Sequence, residues 1–549
     1  MRLVIIGAVA AGTSAAAKAR RNNEEAEIVI YEKDNFISYS GCGMPYAIGG
    51  EVDSDDLTPR DSEFFKRKYN IHILTLHEVT SLNSKNKTLE IKNLSTGELF
   101  TDTYDKLIIA TGASAIIPPI KGADGKHVFS LRNINDMNKI KEHIQVHQPK
   151  TAAIAGTGFI GLEVCENLKK LGIRVTLIEK LPQVTPGLDS DMAVYVKDYL
   201  IKNDIVVITD ASVKEITQNS VILSDEREVQ ADMILLSTGV RPNTELAKMA
   251  GIELGIADAI KVDETMRTNI EDIYACGDCI EHYHVVTGKR VYRPLGSTAN
   301  KTGRIAGDCI TGGNLKFRGI LGTGIFKIFD MVVAQTGLSE KEAKESGYDV
   351  AVCHNIKPNK AMYMGGKEMV IKGIADKKSG RLLGAQIIGY EGVDKRIDVF
   401  VTAITFKGKA DDLFHLDLAY APPFSTAKDP VMYTGMILDN AIYGAQPLIT
   451  AMELNELIES GKDYTLIDAR ANSQYEKEHV ETATNIPHEK LRESIKDLDK
   501  EVIAVTYCNK GVTGNAAQNI LRNHGFKKVF NLSGGQRQFM KIKDKKPDM

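Results

Sequence analysis

Residues 152–161 decide the fold class, and they read Ala-Ala-Ile-Ala-Gly-Thr-Gly-Phe-Ile-Gly. An apolar strand, a complete G-x-G-x-x-G turn and a helix predicted at 162–171 follow in that order, and a second strand, 174–178, ends at Glu179. In this arrangement backbone N–H groups face a pyrophosphate at the helix N-terminus, and the acidic residue accepts the ribose hydroxyls. Glu179 therefore favours NADH over NADPH, although Lys180 directly after it leaves that preference open.

An earlier copy of the same pattern opens the chain. A strand from Leu3, a glycine turn, a helix predicted at 13–21 and a second strand to Tyr31 are followed by Glu32. Val9 replaces the second glycine of the fingerprint, so this copy alone is less specific than the other. Two such units in one chain imply two dinucleotides, and a flavin with a nicotinamide is the natural pair.

A single cysteine, Cys42, lies about 30 residues beyond the first glycine turn, in the sequence Ser-Tyr-Ser-Gly-Cys-Gly-Met-Pro-Tyr of residues 38–46. No other cysteine follows within 100 residues, so a local C-x-x-C disulfide is excluded here. A redox-active Cys42 must pair with a sulfur or oxygen brought from outside. The alternative is a buried structural cysteine, which packs as a small hydrophobe.

Composition narrows the class of protein. The 549 residues predict three to four domains, and the formal net charge of −3 argues against a nucleic-acid binder. Seven scattered cysteines indicate reduced thiols in a cytoplasmic protein. Cys276 and Cys279 form a C-x-x-C beside a glycine turn, and we expect them to pack in the core because no second ligand pair accompanies them. We expect no metal site and no membrane helix.

The first 445 or so residues resemble the flavoprotein disulfide reductases that bind two dinucleotides. The matching residues of the single-cysteine branch are Ser38, Cys42, Pro45 and Tyr46, with the segments 418–425 and 428–430. Within that branch the chain is similar to coenzyme A-disulfide reductases, with NADH oxidases and peroxidases as close relatives. The resemblance implies an α/β fold with two Rossmann-like domains, for FAD and NAD(P)H, and an α+β dimerisation domain of a homodimer. The implied boundaries are 1–112 and 244–323 for the FAD domain, 113–243 for the NAD(P)H domain and 324–445 for the dimerisation domain.

The resemblance also implies residue roles. Contacts to FAD are expected from Gly7, Ala10, Ala11, Gly12, Glu32, Lys33, Val79, Ala110, Thr111, Gly112, Arg132, Gly277, Asp278, Pro294, Leu295 and Ala299. Contacts to the nicotinamide dinucleotide are expected from Gly156, Gly158, Phe159, Ile160, Gly161, Glu163, Glu179 and Gly239. Coenzyme A is expected to contact Ser14, Lys18, Arg21, Ser38, Gly41, Lys68, Asn300 and Lys428. Tyr363 and Tyr420 are expected near the reactive sulfur of the partner subunit as hydrogen-bond or proton donors, and a plain interface role is their alternative.

Coenzyme A carries three phosphate groups, so its site needs several converging cations. Lys18 and Arg21 are three residues apart and share one face of the first predicted helix. A solvated helix face is the alternative for each of them.

From Leu448 the chain restarts as a small α/β unit. A helix capped by Thr450 runs to Glu459, and a strand predicted at 501–507 delivers Cys508 to a small-residue loop before a helix predicted at 515–523. A thiol at a strand end that faces backbone N–H groups and a helix dipole has a lowered pKa. The segment 446–549 resembles a single rhodanese domain, and its loop departs from related sulfurtransferases in carrying Thr513 where they often carry arginine. A non-catalytic docking domain is the alternative.

Together these features predict an NAD(P)H-dependent reductase of coenzyme A disulfide, coenzyme A persulfide or polysulfide. Cys42 is the expected nucleophile and Cys508 the expected carrier of sulfane sulfur. The alternatives are an NADH oxidase or peroxidase that cycles Cys42 through sulfenic acid, and a redox-sensing sulfur carrier. The sequence leaves open the physiological acceptor, the direction of sulfur flow, and whether Cys508 meets Cys42 within one subunit or across the dimer.

Overall fold

The computed structural model describes residues 1–543, so residues 544–549 of the predicted rhodanese segment lie outside it. The chain forms two compact units. The first contains Met1–Pro182 and Ile205–Gly322, and the second contains Gln183–Asp204 and the chain from Thr323 onward. No described helix combines the length and the apolar character that a membrane span requires.

The first unit begins with a parallel sheet of five strands. In spatial order the strands are Ile273–Ala275, Lys106–Ile109, Arg2–Ile6, Glu27–Tyr31 and Ile71–Leu74. Two helices, Ala10–Asn22 and Gly296–Ile310, pack so closely that a side chain at Gly303 or Gly307 would overlap the backbone of the first helix. The first of these helices was predicted at 13–21 and begins three residues earlier, because residues 10–12, which were assigned to the glycine turn, form the first turn of the helix.

A second parallel sheet carries the complete glycine motif. Its strands, in spatial order, are Val206–Ile208, Arg174–Ile178, Thr151–Ala155, Met233–Leu236 and Val128–Phe129. The helix Phe159–Lys170 follows the glycine turn, three residues earlier than predicted, and Ile134–His147 lies between the strands Val128–Phe129 and Thr151–Ala155 in the chain. The unit also holds two three-stranded antiparallel sheets, formed by His77–Asn83, Thr88–Asn93 and Leu99–Thr103 and by Val213–Ile216, Ser220–Leu223 and Glu228–Gln230.

The second unit contains an antiparallel and a parallel sheet. The antiparallel strands, in spatial order, are Gly324–Ile328, Met331–Gly337, Leu382–Gly389, Glu368–Asp376 and Val350–Pro358. The parallel strands are Leu448–Ile449, Val529–Leu532, Ile503–Tyr507, Tyr464–Asp468 and Thr484–Asn485. The main helices of this unit are Ser190–Lys202, Val393–Thr405, Pro430–Ile442, Ala451–Glu459, Val512–Asn523 and Gly535–Ile542.

The C-terminal part of this unit largely follows the sequence prediction. Thr450 caps the helix Ala451–Glu459 through a capping box with Glu453. The helix predicted at 515–523 begins earlier, at Val512, because Gly511 turns the chain with a φ of +100° directly after the cysteine loop.

A buried network of charges joins parts of the second unit. The ammonium group of Lys372, on the antiparallel sheet, lies 2.8 Å from Asp191, 3.1 Å from Asp189 and 2.8 Å from Glu340. Asp191 belongs to the helix Ser190–Lys202 and also contacts His354 Nε2 at 2.8 Å. Burial alone raises the pKa of Asp191, but Lys372 and His354 outweigh it, and the pKa falls below its usual range.

The same network reaches the parallel sheet. The Ser533 hydroxyl lies 3.0 Å from His354 Nδ1 and accepts the His354 backbone N–H at 2.7 Å. The Gln538 side chain donates to the Asp191 carbonyl oxygen at 3.0 Å and accepts the Tyr195 hydroxyl at 2.7 Å. The C-terminal domain and the antiparallel sheet thus share buried polar partners within one unit.

We expect Lys372→Met to destabilise the second unit by about 3–5 kcal/mol, because three carboxylates lose their buried counter-ion. Urea denaturation followed by circular dichroism measures the change. The loss should be largest near neutral pH and should shrink as the pH falls, because the carboxylates can then be protonated. Lys377→Met is the matched control, since Lys377 forms an exposed ion pair with Asp349. Equal stability of the two variants would contradict the role of the network.

Candidate active site

The first cavity of the first unit lies at the glycine turn that opens the chain. It has a volume of about 560 Å³. The expected flavin contacts that line it are Gly7, Ala10, Ala11, Glu32, Lys33, Val79, Ala110, Thr111, Gly112, Arg132, Asp278 and Ala299. Most of the residues expected to bind the flavin therefore surround one space.

The backbone of the glycine turn packs closely against the neighbouring strand end and carries no side chain at Gly7, as a pyrophosphate site requires. Gly7 has a φ of +104°, and a side chain there would overlap the carbonyl oxygen of Ala110. The buried carboxylate of Glu32 accepts the Ala8 N–H at 2.7 Å and the Asp34 N–H at 2.9 Å. Burial raises the pKa of Glu32, and these two bonds lower it in part. Glu32 thus shapes the turn as well as lining the cavity.

Asp278 offers an acceptor inside the cavity. Its Oδ2 atom accepts a hydrogen bond from Arg132 Nη2 at 2.5 Å. The other, Oδ1, is buried and finds no hydrogen-bond partner within residues 1–543. A buried carboxylate oxygen is costly to leave unpaired, so this atom fits a hydroxyl of a bound ligand such as the ribityl chain of FAD.

Four expected flavin residues do not line the cavity: Gly12, Gly277, Pro294 and Leu295. The reason is visible for the glycines, since Gly12 packs against the Gly7 carbonyl and Gly277 against Ala11. The sequence analysis missed several lining residues, namely Tyr31, Asp34, Tyr39, His77, Asn133 and Asn243. Asp34 is two residues after Glu32, so the acidic strand end could have indicated it. Tyr31, directly before Glu32, and Tyr39, in the cysteine stretch, are also close to expected residues in the sequence, whereas His77, Asn133 and Asn243 come from distant parts of the chain.

Cys42 lies in a short 3₁₀ turn, Gly41–Gly43, directly before the helix Met44–Ile48. The residue is exposed and its thiol is free. Protein atoms nevertheless surround the sulfur enough that loss of solvation, followed by the charge of Glu163, raises the pKa of Cys42, while Arg132 lowers it. Within the protein itself, burial and Glu163 therefore favour the thiol form of Cys42 over the thiolate.

Glu163 stands on the first turns of the helix that follows the complete glycine motif. Burial and the neighbouring Glu166 raise its pKa to about 7, and a hydrogen bond with Tyr46 opposes them. Gly156 has a φ of +104°, and Glu179 accepts the backbone N–H and the hydroxyl of Thr157 at 3.0 and 2.7 Å. The second glycine turn thus repeats the geometry of the first, and it brings a carboxylate near Cys42.

A second cavity of about 540 Å³ opens on the outer face of the helix Ala10–Asn22. Ser14, Arg21, Ser38 and Asn300 line it, and the Ser14 hydroxyl donates to Asn300 Oδ1 at 2.8 Å. Two cations that the sequence analysis missed, Arg60 and Arg304, also line it. Arg304 is one helical turn after Asn300, so helix periodicity could have indicated it, whereas nothing pointed to Arg60.

The other expected coenzyme A residues are placed differently. Lys18 does not line the cavity, because it pairs with Asp308 at 2.9 Å and bonds Asn22. Lys68 lies over the rings of Phe64 and Tyr69 rather than on the lining. Gly41 is also absent from the lining. Lys18 and Arg21 therefore do not both line this cavity, and a contact of Arg21 with coenzyme A stays a prediction.

Tyr363, Tyr420 and Lys428 belong to the second unit. Tyr363 is 79% exposed and Tyr420 is 55% exposed. The segment after Tyr420 is anchored by a buried ion pair, in which Arg396 Nη2 lies 2.8 Å from Asp429 Oδ2. Both tyrosines are thus available to another chain.

Cys508 closes the strand Ile503–Tyr507 and is buried. The backbone N–H of Gly511 donates to its sulfur at 3.3 Å, and the helix Val512–Asn523 follows at once. Cys276 and Cys279 are fully buried, and burial raises the pKa of both thiols, which fits the expected packing role.

Comparison with known families decides the assignment. Residues 1–299 match the family described as pyridine nucleotide-disulphide oxidoreductase, 324–430 match its dimerisation domain, and 450–541 match the rhodanese-like domain. This chain belongs to the pyridine nucleotide-disulphide oxidoreductase family. The predicted α/β fold and the rhodanese domain are thereby confirmed. The family uses FAD and NAD(P)H, and the first cavity fits FAD through its glycine turn and the free oxygen of Asp278.

Three individual proteins are similar over most of the chain. An NADH oxidase from Methanocaldococcus jannaschii is 39% identical over 437 residues, which are 78% of this chain and 97% of that protein. The crystal structure of reduced Bacillus anthracis CoADR-RHD has a TM-score of 0.96 at 37% identity and covers 98% of both chains. The structure of an NAD-dependent persulfide reductase from A. fulgidus has a TM-score of 0.90 at 38% identity and covers 98% of this chain and all of that one.

We expect Glu163→Gln to lower the pKa of Cys42, because the variant removes a negative charge that disfavours the thiolate. The rate of iodoacetamide alkylation of Cys42 against pH, read by mass spectrometry, measures this value. The difference should be greatest above pH 7, where the Glu163 carboxyl of the wild type is ionised. Glu51→Gln, at an exposed ion pair with Lys170, is the control. An unchanged alkylation profile in the Glu163 variant would contradict this electrostatic coupling.

Proposed function

We propose that this protein uses NAD(P)H to reduce a coenzyme A disulfide or persulfide at Cys42, and that its rhodanese domain carries sulfane sulfur on Cys508. The observation that carries the proposal is the presence of both cysteines, each at the head of its own loop, in one chain with two dinucleotide turns. Relatives named as a persulfide reductase and as CoADR-RHD match this whole arrangement, including the rhodanese domain.

The second cavity supports coenzyme A as the carrier of the sulfur. Arg21, Arg60 and Arg304 supply three guanidinium groups, which bind phosphate oxygens through paired hydrogen bonds. Ser38 and Ser40 of the cysteine loop line the same cavity. A long thiol carrier with phosphates at one end and sulfur at the other can therefore hold its charged end here while its sulfur approaches Cys42.

The chemistry at Cys42 is thiol–disulfide exchange. The Cys42 thiolate attacks the coenzyme A-bound sulfur, a mixed disulfide forms, and coenzyme A thiolate leaves from a disulfide or hydrosulfide leaves from a persulfide. FAD, when bound, supplies the two electrons from NAD(P)H that cleave the mixed disulfide and release coenzyme A. Arg132 favours the thiolate and Glu163 opposes it, so these two residues tune the nucleophile.

A homodimer would complete this site. Tyr363 and Tyr420 are exposed on the unit that contains the dimerisation domain, and this exposure supports a role for their hydroxyls as proton donors to the sulfur of a partner subunit. The Arg396–Asp429 pair anchors the segment that follows Tyr420.

An NADH oxidase is the second candidate, because a relative of that name is 39% identical to this chain. In that reaction oxygen or peroxide would oxidise Cys42 to sulfenic acid. The arginine-lined cavity and the rhodanese domain favour the coenzyme A reaction, since neither serves oxygen chemistry.

Cys42→Ser should abolish NADH oxidation with coenzyme A disulfide and with coenzyme A persulfide, while Cys508→Ser should leave the disulfide reaction intact. The assay follows NADH absorbance in anaerobic buffer with each acceptor, and then in air without one. Cys508→Ser should separately abolish sulfur transfer from thiosulfate to cyanide. Turnover in air alone would establish the oxidase, and loss of both activities in Cys508→Ser would contradict separate roles.

Arg21→Ala should raise KM for coenzyme A disulfide by about tenfold, because one guanidinium contact to a phosphate is lost. The value of kcat should change much less, since Arg21 lies far along the carrier from the reacting sulfur. Lys18→Ala is the matched control on the same helix, as Lys18 pairs with Asp308 instead of lining the cavity. Equal KM values for the two variants would argue against this cavity as the carrier site.

A further inference from the structure

Within the second unit, the antiparallel sheet sends one strand end to the cysteine loop of the rhodanese domain. The strand Val350–Pro358 ends beside Glu368, its register partner at Pro358. Glu368 forms close ion pairs with Lys510 of the cysteine loop and with Arg537. The end of this strand pair is therefore fixed next to the loop that presents Cys508.

Lys357 is the residue before the last on that strand, and its side chain lies near the cysteine loop. It interacts electrostatically with Cys508, Lys510 and Lys428. Its ammonium nitrogen lies 4.0 Å from the ring centre of Tyr433, and that of Lys428 lies 6.0 Å from the same ring. The aromatic ring thus contacts two lysines of the dimerisation domain, and Lys357 is the one that interacts with the rhodanese cysteine.

These two lysines differ from Lys510 in their pairing. Lys510 is neutralised by Glu368, whereas no described residue forms an ion pair with Lys357 or Lys428. Lys357 is half-buried, and burial together with Lys510 and Lys428 lowers its pKa, while Cys508 opposes the shift. A positive charge that lies close to a thiol and is not paired with a carboxylate stabilises an anionic sulfur species.

The cysteine loop itself lacks an available cation. Lys510 is the one cation among residues 509–514, and it is held by Glu368. The loop contributes the Gly511 N–H to the sulfur and the N-terminus of the helix Val512–Asn523. A cation for the reaction must come from outside the loop.

We propose that Lys357, assisted by Lys428, is the positioning residue that supplies the cationic side of the Cys508 site and orients an anionic sulfane-sulfur donor. This inference rests on the proposed sulfur-carrying role of the rhodanese domain. The dimerisation domain is then part of the rhodanese site of its own chain, and Lys428 serves Cys508 instead of the cavity beside Cys42.

With thiosulfate as donor the step is balanced without a further reagent. The Cys508 thiolate attacks the outer sulfur, the S–S bond of thiosulfate breaks, and sulfite leaves with the electron pair. Cys508 becomes a persulfide anion, so the negative charge beside Lys357 persists through the step. The ammonium group of Lys357 stabilises the thiolate, the approaching dianion and the persulfide.

The test compares Lys357→Met, Lys357→Arg and wild type as full-length holoenzyme. In Lys357→Met we expect the pKa of Cys508, from iodoacetamide alkylation rates against pH, to rise by about one unit. We expect kcat/KM for sulfur transfer from thiosulfate to cyanide to fall about tenfold. Lys357→Arg keeps the charge and should restore most of both values.

Lys377→Met is the matched control, because Lys377 follows the opposite end of the same strand pair, at Asp376. It should leave both readings as in wild type. An unchanged Cys508 pKa in Lys357→Met, or an equal rise in the control, would overturn the inference. Absence of sulfur transfer in wild type would refute the carrier role, and the alkylation profile would still decide whether Lys357 stabilises the Cys508 thiolate.

Discussion

The second unit depends on the buried ion pairs between the ammonium group of Lys372 and three carboxylates. Removing a charge from water costs several kcal/mol, and three carboxylates around one nitrogen offset that cost only while all of them keep their places. The carboxylates are Asp191 in the helix Ser190–Lys202, Asp189 at its N-cap, and Glu340, and His354 and Ser533 extend the network to the rhodanese sheet. Buried polar contacts therefore connect the sheet that carries Lys357 with the sheet that carries Cys508.

In the first unit the equivalent constraint is steric. Gly7 and Gly156 share a φ of +104°, and in both turns a side chain would overlap the carbonyl oxygen at the end of a neighbouring strand. The glycines thus serve two purposes, since they free backbone N–H groups for a pyrophosphate and let helix and sheet approach closely. This double use explains why some expected contact residues, such as Gly12, shape the cavity without lining it.

The sequence sufficed for features that depend on local patterns. Both glycine turns, the helix cap at Thr450 and the strand that delivers Cys508 follow from short spacings, and the structure contains all of them. The two helices after the glycine turns begin three residues earlier than predicted, because the glycines and small residues of their first turns are equally typical of a loop.

Features that depend on distant partners could not be predicted. The sequence shows Lys18 and Arg21 on one helix, but only the structure shows that Asp308 holds one of them while the other lines a cavity. The surroundings of the Cys42 sulfur are a second example, since burial and the charge of Glu163, which is 121 positions away in the sequence, both raise its pKa. The environment of Cys508 likewise depends on Lys357, which belongs to another domain.

The path of the chain gives the rhodanese domain an unusual status. The segment Gln183–Asp204 leaves the first unit, enters the second and returns, and its Val194 shares an apolar core with Leu454 and Phe539 of the rhodanese domain. A tethered module normally contributes its own complete core and can be gained or lost as a piece. Here one of the apolar clusters of the domain also contains Val194, from the middle of the reductase sequence. A substitution at Val194 therefore acts on the packing of the rhodanese domain as well as on the reductase part of the chain.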